Sequence, residues 1–184
     1  MINSIFVDTQ SRMNKAVEHY QSEVATIRTG RASANILDTI KVDYYGTPTI
    51  IRNMAQLTIP EAQLIVIQPF DKTSLGAIEK AIQNSDLGLN PMNDGQVIRL
   101  RIPALNDERR KDLVKLVHGM IEDGRIAIRN IRRDANDQLK KLNNSHELSD
   151  DNLKRALDDV QEMTNKHIKD LNEIQEAKET EIFE

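Results

Sequence analysis

The sequence predicts an α+β fold: a long three-helix bundle with a small β/α/β domain inserted between helices one and two, hinged and L-shaped. Three observations carry that prediction. Apolar residues recur at three- and four-residue steps in three stretches, 2–29, 105–141 and from Ser149 onward. Between the first two stretches the period changes to alternation. Two chain crossings, Thr29 to Ala34 and Pro103 to Leu105, join the parts without an obvious shared core, which predicts a bent, adjustable molecule. The expected domains are therefore 1–30 with 105–184, and 31–104.

Helix one is expected over residues 2–29, with Phe6, Met13, Val17, Tyr20, Val24 and Ile27 inward and Gly30 as the left-handed stop. Alternation then sets Ile36, Ile40, Val42 and Tyr44 on one parity. Gly46-Thr47-Pro48 reads as a turn and Thr49 to Met54 as a returning strand. Leu57 and Ile59 alternate before Pro60, and Gln63 to Gln68 forms a buried-strand candidate. Asp71 caps a short helix running to about Ser85 with Leu75, Ile78 and Ile82 inward. The stretches from Asp86 to Pro91 and Asn93 to Gly95 read as loops. A last strand, Val97 to Ile102, turns Arg99 and Arg101 outward.

Helix two starts after Pro103-Ala104 with Asn106 as cap. Its apolar stripe is Leu113, Val117, Met120, Gly124, Ala127, Ile131, Ala135, Leu139 and Leu142. Its basic stripe is Lys111, His118, Arg125, Arg129, Arg132 and Lys140, centred roughly 130° away around the axis. Asn143-Asn144-Ser145 breaks the helix, and Ser149 caps helix three, whose seam is Leu153, Leu157, Val160, Thr164, His167, Leu171 and Ile174. Such stripes are stable only when buried together, and the short second connection makes helices two and three antiparallel.

At 184 residues the chain is long enough for a real core, and 39% apolar against 29% charged residues fits an ordered protein. With no Cys, disulfides, thiolate metal sites and a thiol nucleophile are excluded. Three Tyr, three Phe and no Trp argue against a base-stacking platform. No signal peptide is visible, and the longest apolar run, Leu64 to Ile67, is far too short to span a bilayer, so a cytoplasmic location is expected. The chain is also expected to be a monomer. The net charge of -4 is unevenly spread: residues 105–143 carry +3 and residues 144–184 carry -7. Local fields, not totals, decide binding.

Arg125, Arg129, Arg132 and Arg133 crowd into nine residues with no acidic residue between them. A solvated face balanced by the acidic third helix is the bland account of that run. Arginine at this spacing also suits bidentate contact with a polyanion's phosphates. His167, beside Thr164 on the seam, reads as a satisfied polar layer; His118 and Glu122 lack a second histidine for a zinc pattern, and no metal or cofactor site is expected. There is no glycine-rich phosphate loop and no catalytic constellation, so no enzyme is expected. Tyr44-Tyr45 at a strand end is either ordinary turn structure or a tip that touches a partner.

Several stretches together resemble the ribosome recycling factor family: Arg28-Thr-Gly-Arg-Ala-Ser33, Val42-Asp-Tyr-Tyr-Gly-Thr-Pro48, Ile78-Glu-Lys-Ala-Ile82, Ser85-Asp-Leu-Gly-Leu-Asn-Pro91, Asp94-Gly95, Glu108-Arg-Arg-Lys-Asp-Leu113 and Arg129-Asn-Ile-Arg-Arg-Asp-Ala-Asn136. They run in family order over nearly the whole chain. The resemblance implies a bundle and hinged domain that approximate a transfer RNA in outline. It also implies an activity: with elongation factor G and GTP, splitting of the post-termination ribosome. The bundle is then expected on large-subunit ribosomal RNA and the inserted domain against elongation factor G. By motif match the RNA-facing residues are Arg28, Arg31, Arg110, Arg129, Arg132 and Arg133, to which the basic stripe adds Arg125. The hinge is expected at Gly30, Arg31, Ala34, Pro103 and Ala104. Ala34 and Ala104-Leu-Asn106 depart from the family's usual residues there. The competing reading is a coiled-coil adaptor whose acidic third helix docks other proteins.

Overall fold

The computed structural model describes residues 2–184. In chain order the elements are α1 (Ile2–Ala25), a 3-10 turn (Ala34–Leu37), β1 (Lys41–Tyr44), β2 (Thr47–Ile50), α2 (Ile51–Met54), β3 (Ala55–Glu61), β4 (Leu64–Pro69), a 3-10 turn (Lys72–Ser74), α3 (Leu75–Gln83), β5 (Pro91–Asn93), β6 (Ile98–Arg101), α4 (Asp107–Asn144) and α5 (Asp150–Phe183). They form two compact units: one runs to Thr29 and resumes over Asp107–Glu184, the other is Gly30–Asn106.

In the first unit each of the three long helices packs on the other two. Arg12 meets Asp134 while Tyr20 meets Gly124, so α1 and α4 are antiparallel. Asn14 meets His167 and Thr29 meets Glu181, so α1 and α5 are parallel. The stripe buried on α4 is Leu113, Val117, Ile121, Gly124, Ile128, Ile131, Ala135 and Leu139. Ile121 and Ile128 thus replace the expected Met120 and Ala127, which are half-buried. Each replacement lies one residue, or about 100°, further round the helix. It puts a larger branched side chain into the core.

Helix α1 buries Ile5, Thr9, Met13 and Val24. It stops at Ala25, short of the expected Gly30. Thr26 explains the early end: its hydroxyl bonds the Glu23 carbonyl at 2.7 Å, and its N–H turns to the same oxygen in a tightened last turn. At the far end of α4, Glu147 N–H bonds the Leu142 carbonyl and His146 N–H bonds that of Asn143, with His146 at φ 61. This is a Schellman stop with histidine in the left-handed position. It drops Leu148 into a cluster with Ile5, Leu139 and Val160.

The second unit has an antiparallel β1–β2 hairpin and a four-stranded antiparallel sheet in the order β3-β4-β6-β5. Helix α3 packs on strands of both sheets. The core between them includes Val42, Ile51, Ile65, Ile67, Ile78, Ile82, Ile98 and Leu100. As expected, Arg99 and Arg101 alternate outward along β6.

Three local expectations are corrected here. The hairpin turn is Tyr45-Gly46, both at positive φ (49 and 80), a two-residue turn matched to strand twist. Thr47 and Pro48 therefore belong to β2, and residues 51–54, expected as strand, make the single turn of α2. Pro91–Asn93, expected as loop, pairs with β6. Gly30 does adopt a left-handed φ of 75, but what it fits is a close approach: a Cβ there would stand 2.9 Å from Leu105 Cγ.

The β5–β6 turn is clamped by Asp94, whose carboxylate accepts the Gln96 and Val97 N–H groups at 2.9 Å each and pairs with Arg99. These partners, the Val97 N–H first, pull its pKa down to about 2. A folded pKa below the unfolded value of about 3.9 means the clamp stabilises fully above roughly pH 4 and is lost as pH falls through the folded value. Following the Asp94 carboxyl carbon by NMR against pH should give a midpoint near 2. A midpoint at the ordinary aspartate value would show that the clamp does not favour the ionised form.

Candidate nucleic-acid interface

The site is built on α4. With the observed buried stripe, the centres of the apolar and basic faces lie only roughly 100° apart. The basic residues therefore stand on the flank that α5 covers, and the seam between the two helices decides which of them remain outward.

Arg125 is drawn into that seam. Its side chain is 22% exposed. Its Nε and Nη2 donate to Asn172 Oδ1 at 3.1 and 2.6 Å, Nη2 also donates to Gln175 Oε1 at 3.1 Å, and Nη1 donates to Glu122 Oε2 at 3.0 Å. Glu122 gives its other oxygen to Arg129 Nη1 at 3.1 Å. One turn upstream of the arginine run, it supplies the on-helix acidic partner that the run itself lacks. The bonds from Arg125 and then Arg129 hold its carboxyl below the usual range. The network continues through Gln175 to Glu179, which contacts His118 Nε2.

Further along, contact with α5 loosens. Arg132 donates one bond, from Nη1 to Gln161 at 3.1 Å. Arg133 is exposed and makes no side-chain hydrogen bond or ion pair among the described residues. Lys111 and Lys140 are exposed on the same flank. Arg110, at the start of α4, faces Asp107 at 3.6 Å and has its Nε buried without a hydrogen-bond partner among the described residues. Arg28 and Arg31 are both exposed, Arg28 in the first unit and Arg31 in the second. The outward cationic set on α4 is thus Arg129, Arg132 and Arg133, with Arg125 bound up beside it. What separates Arg125 from the others is its lower exposure and its three bonds to Asn172 and Gln175, 47 and 50 residues away in sequence.

His167 is 1% exposed. Its Nδ1 donates to the Met163 carbonyl at 2.6 Å, and its Nε2 lies 2.7 Å from Asn14 Oδ1. Among the described residues no group of three or more His, Asp or Glu is placed to hold a metal ion. No helix there is long and apolar enough to cross a membrane.

The second unit offers a different surface. Tyr45 is 81% and Phe70 is 73% exposed. Both stand by Asp71: Tyr44 and Tyr45 pack edge to face at 4.7 Å, the Tyr44 hydroxyl lies 3.5 Å from Asp71 Oδ2, and Phe70 precedes Asp71 in the chain. Bonds from Thr73 first, with smaller help from the two tyrosine hydroxyls, keep Asp71 ionised below the usual range. Residues 31–104 carry seven basic and seven acidic side chains. Exposed aromatics on a neutral unit suit a protein surface better than a polyanion.

The family model described as ribosome recycling factor matches residues 20–183. A ribosome-recycling factor of Bacillus cytotoxicus is 53% identical over 184 residues, covering 100% of both chains. One of Bacillus thuringiensis is 52% identical over the same span. A solution structure of ribosome recycling factor is similar with a TM-score of 0.80 and 42% identity, covering 99% of this chain and 97% of that one. A model of the Thermus thermophilus factor, bound with Escherichia coli elongation factor G to the post-termination complex, has a TM-score of 0.67 and 43% identity, with both chains fully covered (100%).

The geometry separates two arginines that look alike in sequence. Arg125→Ala should lower stability in urea unfolding by roughly 1–2 kcal/mol, since it strips several part-buried bonds between α4 and α5. Arg133→Ala should stay within about 0.5 kcal/mol of the parent. Equal effects would mean that the seam does not hold Arg125.

Proposed function

This chain belongs to the ribosome recycling factor family, and from that premise we propose how it works: with elongation factor G and GTP it promotes release of ribosomes from mRNA and subunit splitting after translation termination. The observation that carries the reading is the outward cationic flank of α4, Arg129, Arg132 and Arg133, on a chain that matches the family over residues 20–183. A ribosome presents phosphates, and guanidiniums on a rigid helix bind them without ordering a loop. Large-subunit ribosomal RNA is the proposed contact, with Arg28, Arg31 and Arg110 contributing and Arg125 acting from behind.

The protein works in the cytoplasm as a monomer and carries no catalytic chemistry of its own; its partner hydrolyses the GTP. Elongation factor G meets the unit Gly30–Asn106. The exposed Tyr45 and Phe70 support this contact, and a relative bound to the post-termination complex together with that factor supports the partnership. Adjustment between the units falls at Gly30, Arg31, Pro103 and Ala104. Ala34 contributes less, because it opens a 3-10 turn capped by Ser33.

Polysome breakdown with the purified chain, elongation factor G and GTP tests the proposal; breakdown that depends on all three is expected, and none would contradict it. Tyr45→Asn sharpens the test, because asparagine suits a positive φ better than tyrosine does. The variant should unfold at no lower temperature and bind ribosomes alone as the parent does. It should break down polysomes roughly tenfold more slowly, the scale of losing one aromatic anchor. An unchanged rate would remove the aromatic patch from the contact with elongation factor G.

A further inference from the structure

A carboxylate in the middle of a surface proposed to meet phosphates is an anomaly, and Glu122 is one. It is about half exposed, on the outward flank of α4, and held ionised. Alone it would repel a polyanion. Its surroundings give it another role. Oε2 takes Arg125 Nη1 at 3.0 Å and Oε1 takes Arg129 Nη1 at 3.1 Å, so one carboxylate bridges two guanidiniums on successive turns.

The two arginines are not equivalent. Arg125 has Nε, Nη1 and Nη2 all engaged, two of them by Asn172 and Gln175 of α5, which leaves it no edge for a phosphate. Arg129 bonds through Nη1 alone among the described residues, and its side chain is 43% exposed, which leaves Nε and Nη2 without a protein partner there. That edge can grip a phosphate with two parallel bonds. Glu122 is therefore attached where it does not compete with that grip.

We propose that Glu122 and Arg125 form a strut, anchored on α5, that holds the Arg129 guanidinium in place with its open edge turned to a phosphate. Arg129 is the binding residue; Glu122 and Arg125 are positioning residues. The strut rests on the reading of α4 as the face that meets ribosomal RNA. It settles the rotamer of a long, flexible side chain before the partner arrives, so less freedom is lost on binding.

Glu122→Ala gives a test whose sign is diagnostic. The change raises the charge of the face by one, and alanine is the best helix former, so the fold is not put at risk. Charge alone predicts tighter ribosome binding. The strut predicts binding about fivefold weaker, and no further loss when the change is added to Arg129→Ala, because the two act as one unit. In the free protein, the Arg129 side-chain N–H signals should show slow guanidinium rotation that Glu122→Ala abolishes. Tighter or unchanged binding, losses that simply add, or an Arg129 equally mobile in parent and variant would each overturn the strut. If Arg129→Ala, Arg132→Ala and Arg133→Ala all bind like the parent, the RNA-facing reading fails and takes the strut with it. If those three weaken binding while Glu122→Ala does not, the strut fails alone.

Discussion

Which cations α4 can offer is decided by how closely its two partners approach it, and that approach is set at Gly124. A Cβ there would stand 3.1 Å from both Leu171 of α5 and Tyr20 of α1, tighter than ordinary van der Waals contact. Glycine in a helix interior costs about 1 kcal/mol in propensity, offset here by the packing it allows on two sides. With α5 that near, the flank beside the buried stripe becomes a seam. Arg125, one residue after Gly124, is captured by Asn172 and Gln175. Arg132, two turns on, keeps a single bond across the seam, and Arg133 has none among the described residues. The cationic face is what this packing leaves uncovered.

The two units differ in chemistry as well as in fold. The stretch 144–184, almost all of it α5, carries a net of -7, and the stretch 105–143 carries +3. Side by side, these fields turn a polyanion toward α4 and away from its neighbour, which sets orientation more than strength. The insertion has no such field and instead exposes aromatic rings on a strained turn. Tyr45 sits at φ 49, a conformation that bulky residues rarely adopt, with its side chain mostly in solvent. Burial of the ring does not account for it; within the unit the ring meets the edge of Tyr44 and the hydroxyl helps hold Asp71 ionised.

Most of the architecture was legible because long amphipathic helices and alternating strands leave strong periodic marks. The misses share a cause: each turned on a choice between neighbouring residues or on a partner far away in sequence. Met120 against Ile121, and Ala127 against Ile128, differ by one helical step, which periodicity resolves poorly. Gly-Thr-Pro looks like a turn until the register pairs Asp43 with Pro48. The end of α1 was set by one threonine hydroxyl, and the stop after α4 by a histidine doing the work usually given to glycine. At the site, spacing alone grouped Arg125 with its neighbours. Its anchors on α5 and the shared Glu122 appear only when the helices are side by side. Family resemblance named a role for several of these arginines, but their division into outward and captured required the packing.

Phosphate binding by the outward row of guanidiniums on α4 is open to direct measurement: ribosome affinity over a series of salt concentrations for the parent, Arg132→Ala and Arg133→Ala. A linear fall of log affinity with log salt is expected, with a slope shallower by about 0.7–0.9 for each arginine removed. Superimposable slopes for all three proteins would contradict it.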